Sequence, residues 1–596
     1  MADLIRDAPF GQLVRYVTGN KYFKYPEERP GFTCPGYYTD LDENQRQHAA
    51  GPTTSRWSSN LSTPCSEGTI DVEKDSLESC ETADARHASA NLDGPSEPPT
   101  GADLEQATTK ASLARPPTIP VVPEKLADGT ILVDWYTSDD PENPQNWSSR
   151  RKGFVSFWIY TYTFAVYLGS AIYSPFIPGV MEDFGVSAVA ASLGLALYVL
   201  AYGIGPLIFS PLSELPIIGR NPPYIITFTI FVIITIPASL ADNFAGLMIL
   251  RFLQGFFGSP CLATGGASLQ DVYSFIKLPY VICIWSLAAT CGPALGPIVS
   301  GFAVTAKDWH WSMWEMLWLS TPTLLGMFFF LPETSSSNTL LRRAKRLRQT
   351  TRNPHLRSQS EIDQANTTPK TLAYEALVRP VQLILLDPSI GFTAAYVALL
   401  YAIFYSFFEA FPLVYTHLYA FNLGETGLTF LSVAIGVLLA VTLYFAYIYY
   451  LVEPEIRDKG PGAPERRLIP ALFASLLPPI GLFIFGWTSN GRIHWIVRLV
   501  GVAIYVVGIS ILLQSIFLYL PLSYPQYSAS LFAGNDLARS TIAAAAVLFS
   551  GPIFHGMGIG GGTSLLGGLT VFGIVGIFIL WRFGHRWRAR STFAAK

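Results

Sequence analysis

The chain has 596 residues, of which half are hydrophobic and only 14% are charged. A soluble protein carries about 25% charged residues, so this deficit is typical of a chain whose solvent is partly lipid. The formal net charge of -3 gives no reason to expect nucleic acid as a partner, and the six cysteines show no zinc-type spacing, so we expect no metal site.

The first 150 residues are predicted to be a cytoplasmic tail that is largely disordered. Residues 39–118 are rich in Ser, Thr, Asp, Glu and Pro and contain few aromatic side chains. Such a segment buries too little apolar surface to offset the entropy lost on ordering. Before it, a short amphipathic helix is predicted to lie on a membrane surface or on the protein itself. Its apolar face would consist of Leu4, Ile5, Phe10, Leu13 and Val14.

From Phe154 onward, uncharged or nearly uncharged apolar runs recur that are long enough to cross a hydrocarbon core of ~30 Å. Six precede a polar block at 332–386, which contains the basic run LRRAKRLRQTTRNPHLR, and six follow it. The predicted spans are about 154–175, 191–211, 224–241, 246–268, 279–303, 313–331, 389–413, 428–451, 468–487, 495–520, 527–553 and 560–582.

This pattern predicts an all-α polytopic membrane protein with 12 transmembrane helices in two six-helix bundles. The bundles would cover 151–333 and 389–584, joined by a basic cytoplasmic loop at 334–388 and followed by a cytoplasmic tail at 585–596. Lys and Arg concentrate in alternate loops, so both termini are expected to be cytoplasmic.

The motifs that are present or missing indicate the functional class of the protein. It has no GxxxxGK[ST] loop to cradle ATP phosphates, and no hydrolase motif supports a membrane enzyme. Two six-span halves joined by a loop are the layout of a secondary transporter that is driven by an ion gradient.

Five motifs carry a family resemblance. In chain order they are DWYTSDDPENPQNW (134–147), GPLIFSPLSELPIIGR (205–220), LRFLQG (250–255), GPALGP (292–297) and LPET (331–334). Together they resemble the major facilitator superfamily, and within it the twelve-span fungal drug:proton antiporters. The match covers about 134 to 590. The amino-terminal stretch KYFKYPEE resembles the azole- and benomyl-exporting pumps of yeasts.

The resemblance implies that Arg251 takes part in proton coupling, although an arginine near the end of a span can also extend its head group to the interface. The first predicted span lacks the acid that many bacterial relatives carry there. Glu409 is the clearest intramembrane acid, and we expect it either to carry the coupling proton or to be an interfacial carboxylate.

Three further sets of residues are predicted from these motifs. Gly292, Pro293, Gly296 and Pro297 form the antiporter motif, expected to seal the halves or simply to allow close helix packing. An inner gate is expected at the loop motif and two inner helix ends, unless these are plain loop charges. Its members are Gly205, Glu214, Gly219, Arg220 and Asp271, with Asp536 and Arg539 near the eleventh span.

A substrate cavity is inferred from aromatic content, since aromatic faces bind varied planar apolar molecules. Its candidates are Tyr162, Tyr198, Gln254, Tyr401, Tyr405 and Phe408. Each of these side chains can equally serve packing or face lipid.

The sequence therefore predicts a proton-coupled exporter of hydrophobic small molecules, such as antifungal drugs, fungicides or secondary metabolites. We expect a multi-pass protein of the plasma membrane that acts as a monomer, contacts lipid and needs no cofactor beyond the proton gradient. The alternatives are an exporter of polyamines or other metabolites with the same fold, or a membrane sensor that transports nothing.

Overall fold

The structure is a computed structural model that describes residues 2–36, 38, 119–126, 129–365, 368–460, 462–489 and 492–594. The segment 39–118, predicted to be disordered, lies outside the described residues. Within them the chain is almost entirely helical. Its two short strands, β1 (Ile131–Leu132) and β2 (Leu356–Arg357), pair in parallel.

The helices of the amino-terminal part include two short ones that precede the apolar region. In chain order they are α1 (Ala2–Asp7), α2 (Pro9–Val17), α3 (Ser149–Ala171), α4 (Ile177–Phe184), α5 (Ala188–Ile204), α6 (Pro206–Glu214), α7 (Asn221–Ser239), α8 (Phe244–Gly258), α9 (Pro260–Val272), α10 (Leu278–Ala306) and α11 (Trp309–Phe330).

The remaining helices belong to the central loop and to the second apolar region. They are α12 (Ser336–Thr351), α13 (Gln359–Ala365), α14 (Pro369–Leu377), α15 (Arg379–Leu386), α16 (Pro388–Phe411), α17 (His417–Tyr419), α18 (Leu423–Thr429), α19 (Leu431–Tyr447), α20 (Glu453–Lys459), α21 (Ile469–Ala474), α22 (Leu477–Trp487), α23 (Ile496–Ser523) and α24 (Ser528–Arg590). We call α3–α11 the amino-terminal half and α16–α24 the carboxy-terminal half.

Polar residues mark the beginning of many long helices because the first N–H groups of a helix need an acceptor. A side-chain oxygen in front of each of these helices accepts such a hydrogen bond. The capping residues are Ser148 before α3, Ser187 before α5, Asn243 before α8, Asp308 before α11 and Asp387 before α16.

Ten stretches of the described residues are long and apolar enough to cross a membrane. They are Ser149–Phe184, Ala188–Glu214, Asn221–Ser239, Phe244–Val272, Leu278–Ala306, Pro388–Tyr419, Leu423–Lys459, Pro464–Trp487, Ile496–Ser523 and Pro525–Arg590. The prediction of an all-α polytopic membrane protein is confirmed at this level.

Two helices bear on the difference between ten candidate spans and the twelve predicted. Helix α11 has 22 residues and lies between the fifth and sixth candidates, but it is not among the ten. Helix α24 has 63 residues, about 95 Å at 1.5 Å per residue. Its backbone is non-helical at Gly558, where φ is 72° and ψ is 165°.

The amino-terminal tail is folded at both ends, so the prediction of a largely disordered 1–150 is too broad. Tyr38 packs with Ile131 and Val133 of the pre-membrane segment, on one side of helix α12 and strand β2. That small core is completed by Ala344, Leu347 and Leu356. The apolar side chains of α12 repeat at helical spacing, and the tail supplies the surface that covers them.

A buried ion cluster holds the same three segments together, and we call it the clamp. It consists of Glu27, Asp140, Glu142, Arg343 and Arg346. Arg343 lies 2.7 Å from Asp140 and 3.0 Å from Glu142, and Arg346 lies 3.2 Å from both Glu27 and Glu142. Two arginines of the basic run are thus neutralised by acids of the tail and of the DDPEN segment.

Candidate functional site

The two halves contact each other through a chain of buried hydroxyl groups. Tyr202 on α5 is hydrogen-bonded to Tyr401 at 2.7 Å and to Tyr405 at 2.9 Å, both on α16. Ser170 on α3 is hydrogen-bonded to Tyr405 at 3.1 Å. Separating the halves would leave these groups without partners unless water or another molecule replaced them.

A buried ion pair joins the same interface from helix α24. Arg539 donates to Asp536 at 2.8 Å and, across the interface, to the hydroxyl of Tyr167 at 2.9 Å. Its guanidinium lies 4.7 Å from the ring centre of Tyr401. The predicted pair of Asp536 and Arg539 is present, but it lies between the halves and is not a loop contact.

Glu409 makes a further polar contact between the halves, nearer the end of α16. Its carboxylate accepts a hydrogen bond from Ser192 of α5 at 2.9 Å. Helix α24 passes close by, since a Cβ added at Gly551 would lie 3.8 Å from the other carboxylate oxygen. Within the part of the chain that the structure describes, no basic side chain lies within salt-bridge distance of Glu409.

Arg251 is fully buried inside the amino-terminal half, so the alternative of a side chain that extends to the interface is wrong. Its guanidinium donates to the carbonyl oxygens of Gly169 at 2.9 Å, Ser170 at 3.4 Å and Gly194 at 3.2 Å. It also donates to the side chain of Gln254 at 3.2 Å. These contacts tie α3 and α5 to α8.

Aromatic rings complete the surroundings of this cation. Its guanidinium carbon lies 4.5 Å from the ring centre of Tyr198 and 5.0 Å from that of Tyr173. A cation over an aromatic face is attracted by the ring quadrupole, most strongly where water is excluded. Among the described residues no carboxylate forms a salt bridge with Arg251, which distinguishes it from every arginine of the clamp.

The antiporter motif brings α10 into backbone contact with α3. A Cβ at Gly292 would lie 2.8 Å from the backbone nitrogen of Leu168, and one at Gly296 would lie 2.9 Å from that of Ile172. Both distances are too short for a side chain. Pro297, in the same helix, touches Gly427 of the carboxy-terminal half. The motif therefore packs closely within its own half and across the interface.

The loop motif forms the predicted ion pair. Arg220 lies 3.2 Å from Asp271 and 3.8 Å from Glu214. Burial opposes the charge of Arg220, but the two carboxylates outweigh it and raise the pKa of the guanidinium. Gly219 has a φ of 81°, a conformation that favours glycine.

Glu333 holds the loop motif in place, although LPET by itself predicts only the ending of a span. Its carboxylate accepts the backbone N–H groups of Arg220 at 2.9 Å and Asn221 at 3.2 Å. It thereby fixes the loop that carries the Arg220–Asp271 pair. The signal was the acid that directly follows an apolar run, because a carboxylate can accept several backbone donors at once.

The remaining gate candidate, Gly205, marks a close helix crossing. A Cβ there would collide with the hydroxyl of Ser259, between α8 and α9. Only a glycine lets these segments approach so closely, and this supports a packing role for Gly205.

The predicted cavity residues separate into two groups. Tyr401, Tyr405 and Phe408 lie on α16, and their rings contact one another between the halves. Tyr162 and Tyr198 lie inside the amino-terminal half, where each hydroxyl donates to a backbone carbonyl. Gln254 lies in the same core, held by Arg251 and donating to Thr235 at 3.1 Å.

A crevice with a volume of only about 10 Å³, roughly the room of one water molecule, remains between the halves, and none of the six predicted residues lines it. Its walls come from α10, α19 and α23. The lining residues are Ser286, Leu287, Val437, Ala440, Val441, Tyr444, Ser510, Ile511 and Gln514. The wall is apolar with a few hydroxyl and amide groups and contains no charged side chain.

Comparison with known proteins agrees with this architecture. Residues 159–547 match the family model described as Major Facilitator Superfamily. The chain is 47% identical to the MFS-type transporter pyvG of Aspergillus violaceofuscus, over 79% of this chain and 87% of that one. It is 40% identical to the multidrug transporter FLR2 of Candida glabrata, over 78% and 79% of the two chains. It is 33% identical to the cycloheximide resistance protein of Candida maltosa along the full length of both.

Proposed function

The chain belongs to the major facilitator superfamily, and from that premise we propose that it exports hydrophobic small molecules in exchange for protons. The observation that carries this proposal is the hydrogen bond between Glu409 and Ser192, which joins the two halves through a carboxylate that forms no salt bridge among the described residues and has only His555 as a basic neighbour. A carboxylate that forms no salt bridge between two apolar bundles is costly, and protonation removes that cost.

Exchange follows if proton and substrate favour different arrangements of the halves. As a carboxylate, Glu409 accepts from Ser192 and holds α16 against α5. Protonation would remove the charge and weaken that hydrogen bond. Substrate binding between the halves would favour release of the proton. Asp536 is a weaker candidate for this role because Arg539 already balances its charge.

Arg251 would act as a positioning residue. It binds the carbonyl of Ser170, whose hydroxyl group is bonded to Tyr405 in the other half. The cation thus fixes the turn of α3 that meets the interface. A proton-coupling role for Arg251 through a direct carboxylate partner is not what this geometry favours.

The relatives supply the substrate class. One is named a multidrug transporter and another a cycloheximide resistance protein, so we propose antifungal compounds and similar apolar molecules as substrates. A polyamine exporter would need several acids at its binding site, and Asp and Glu are scarce within the apolar spans of this sequence.

We also propose twelve spans with both termini in the cytoplasm. Helix α11, at about 33 Å, is long enough to cross the membrane, and α24 is long enough to cross twice on either side of Gly558. The basic residues of alternate loops support this orientation. We expect a monomer in the plasma membrane that uses the proton gradient and no bound cofactor.

The test is efflux of a fluorescent hydrophobic dye from cells without their own pumps, with and without a protonophore. Glu409→Gln keeps a side chain that can bond to Ser192 but cannot carry a proton. We expect its efflux to fall to the level of cells that lack the protein. Glu315→Gln is the matched control, since Glu315 is another half-buried acid in a spanning helix, and it should export normally.

Two outcomes would contradict the proposal. Protonophore-sensitive efflux that survives in Glu409→Gln would remove Glu409 as the proton carrier. A wild-type protein at the cell surface that moves no tested drug or dye would favour the sensor.

A further inference from the structure

Helix α2 has its polar side turned inward and its apolar side turned outward. Gly11 and Arg15 are buried, and Arg15 is only 6% exposed. Leu13 is 51% exposed, Val17 is 74% exposed and Tyr16 is 86% exposed. A surface helix normally buries its apolar stripe and exposes its charges, so this arrangement is expected where the outside is not water.

The inward side of α2 is firmly held, so the exposed residues do not result from a frayed helix. Arg15 donates to both oxygens of Glu28, at 2.6 and 2.7 Å, and to the carbonyl of Phe23 at 2.8 Å. Its guanidinium also lies 4.6 Å from the ring centre of Tyr25. At Gly11 a Cβ would collide with the backbone of α1.

The apolar side of α2 continues a surface that faces lipid in the proposed topology. Phe10 packs against Phe328 and Phe329, with ring centres 6.0 and 4.9 Å apart, in the last turn of α11. Helix α2 also contacts α7, whose outward residue Ile226 is 60% exposed. The helix therefore lies at the end of the bundle, beside the two helices proposed as the third and sixth spans.

Positive charges follow this helix at once. Lys21 and Lys24 are both exposed. The cytoplasmic leaflet of a membrane carries anionic lipids, which attract basic residues within about a Debye length of its surface.

We propose that α2 binds the cytoplasmic leaflet, with Leu13, Tyr16 and Val17 at the acyl boundary and Lys21 and Lys24 against anionic head groups. This inference rests on the membrane orientation given under the proposed function. It resolves the two expectations for the amphipathic helix: one flank packs on the protein through Phe10, and the outer face meets lipid. The lipid surface would thereby hold the clamp against the bundle, because Tyr25 lies under Arg346 with a ring-to-cation distance of 3.8 Å.

The experiment places a fluorescent probe on single cysteines of the full-length chain in nanodiscs. The six native cysteines are replaced by serine, and the probe is attached at Leu13→Cys, at Val17→Cys or, as a control, at Arg357→Cys, an exposed position on β2. The discs contain phosphatidylcholine and phosphatidylserine, with a nitroxide high on a fraction of the acyl chains. Iodide serves as the aqueous quencher.

We expect the lipid nitroxide to quench probes at positions 13 and 17 several-fold more than the probe at 357, with the reverse order for iodide. Equal quenching at all three positions would overturn the proposal. Probes at 13 and 17 that neither reagent reaches would also overturn it, because they would indicate a protein partner. Unchanged lipid quenching in discs without phosphatidylserine would overturn the assignment to anionic lipid.

A second measurement shows that each cysteine variant is folded, namely dye efflux in cells. Because quenching in nanodiscs requires no transport, failure of this inference is distinguishable from failure of the proposed exporter. A variant that exports dye but shows no lipid contact at position 13 would refute only the binding of α2.

Discussion

Two buried arginines of this chain have their positive charges stabilised by different kinds of partner. Arg343 in the clamp is surrounded by carboxylates, with Asp140 at 2.7 Å and Glu142 at 3.0 Å. Arg251 in the bundle has carbonyl oxygens, an amide and two aromatic rings. The first cation is neutralised, whereas the second remains a net positive charge. The clamp therefore suits a structural joint, and Arg251 suits an element that responds when charge nearby changes.

The strongest test of this comparison removes the cation of the clamp. Arg343→Ala would leave Asp140 and Glu142 buried without one of their partners, and breaking such a pair costs about 3–5 kcal/mol. We expect a corresponding loss in the free energy of unfolding of the purified chain. Arg348→Ala is the control: its pair with Glu361 is partly exposed, so we expect a cost of about 1 kcal/mol or less.

Removing the other cation should act mainly on transport. Arg251→Ala would delete charge-assisted hydrogen bonds worth about 1.5–3 kcal/mol each and release the α3 turn that carries Ser170. We expect dye efflux to be abolished in a protein that still reaches the membrane. Arg251→Lys keeps the charge but not the planar fork, so its efflux should be partial. Normal efflux in Arg251→Ala would contradict the view that Arg251 serves transport whereas Arg343 serves stability.

A smaller effect is expected from a substitution on α10 that shifts the α3 carbonyls bound by Arg251 and leaves the arginine itself unchanged. In Gly296→Ala the new methyl group would press on the backbone of α3 near Ile172, just beyond the carbonyls of Gly169 and Ser170. Overpacking of this kind costs about 1–3 kcal/mol, and we expect reduced efflux. Gly568→Ala, where nothing lies within 4 Å, is the control in a spanning helix. Equal effects of the two substitutions would contradict the packing role of the antiporter motif.

The smallest expected effect is the acid sensitivity of the clamp. Burial opposes the charge of Asp140, but the hydrogen bonds from Arg343 outweigh it and lower the pKa of this carboxyl below its ordinary 3.8. The stability that this shift contributes is complete above pH 3.8 and is lost as the pH falls through the lower folded-state value. Asp140→Asn should remove this part of the acid dependence, measured as the unfolding free energy against pH.

The pKa of neighbouring Glu142 is shifted in the opposite direction to that of Asp140, so the two carboxyls affect the pH dependence of stability with opposite signs. A substitution of Asp140 is therefore needed to separate its contribution. Burial raises the pKa of Glu142 above its ordinary 4.5 despite the arginines beside it. Its contribution to stability is therefore lost as the pH rises through the region above 4.5. An acid dependence that is identical in wild type and Asp140→Asn would contradict the assignment.

Several site contacts could be predicted because their partners belong to short motifs. Arg539 and Asp536 are three residues apart on one helix, so their pairing follows from helical spacing. The Arg220–Asp271 pair follows from two span ends that must lie at the same membrane face. Likewise, the glycines of GPALGP predict close helix packing, which the structure confirms at Gly292 and Gly296.

Other contacts could not be predicted. The clamp joins Glu27, Asp140 and Arg343, which are separated by more than a hundred residues along the chain, and the sequence showed only complementary charge. Tyr162 and Tyr198 were expected in the cavity but pack inside one half. In a helix that is apolar all round, no periodicity distinguishes the side facing a neighbouring helix from the side facing the interface or lipid.

Apolar runs and short motifs are enough to predict a polytopic helical membrane protein of this superfamily, because membrane thickness dictates the length of an apolar run and small motifs act locally. The folded chain was needed to show that carbonyl oxygens bind Arg251, that the tail and the central loop share one ion cluster, and which side of α2 faces outward. These depend on contacts between distant segments, whose geometry is set when the helices pack together.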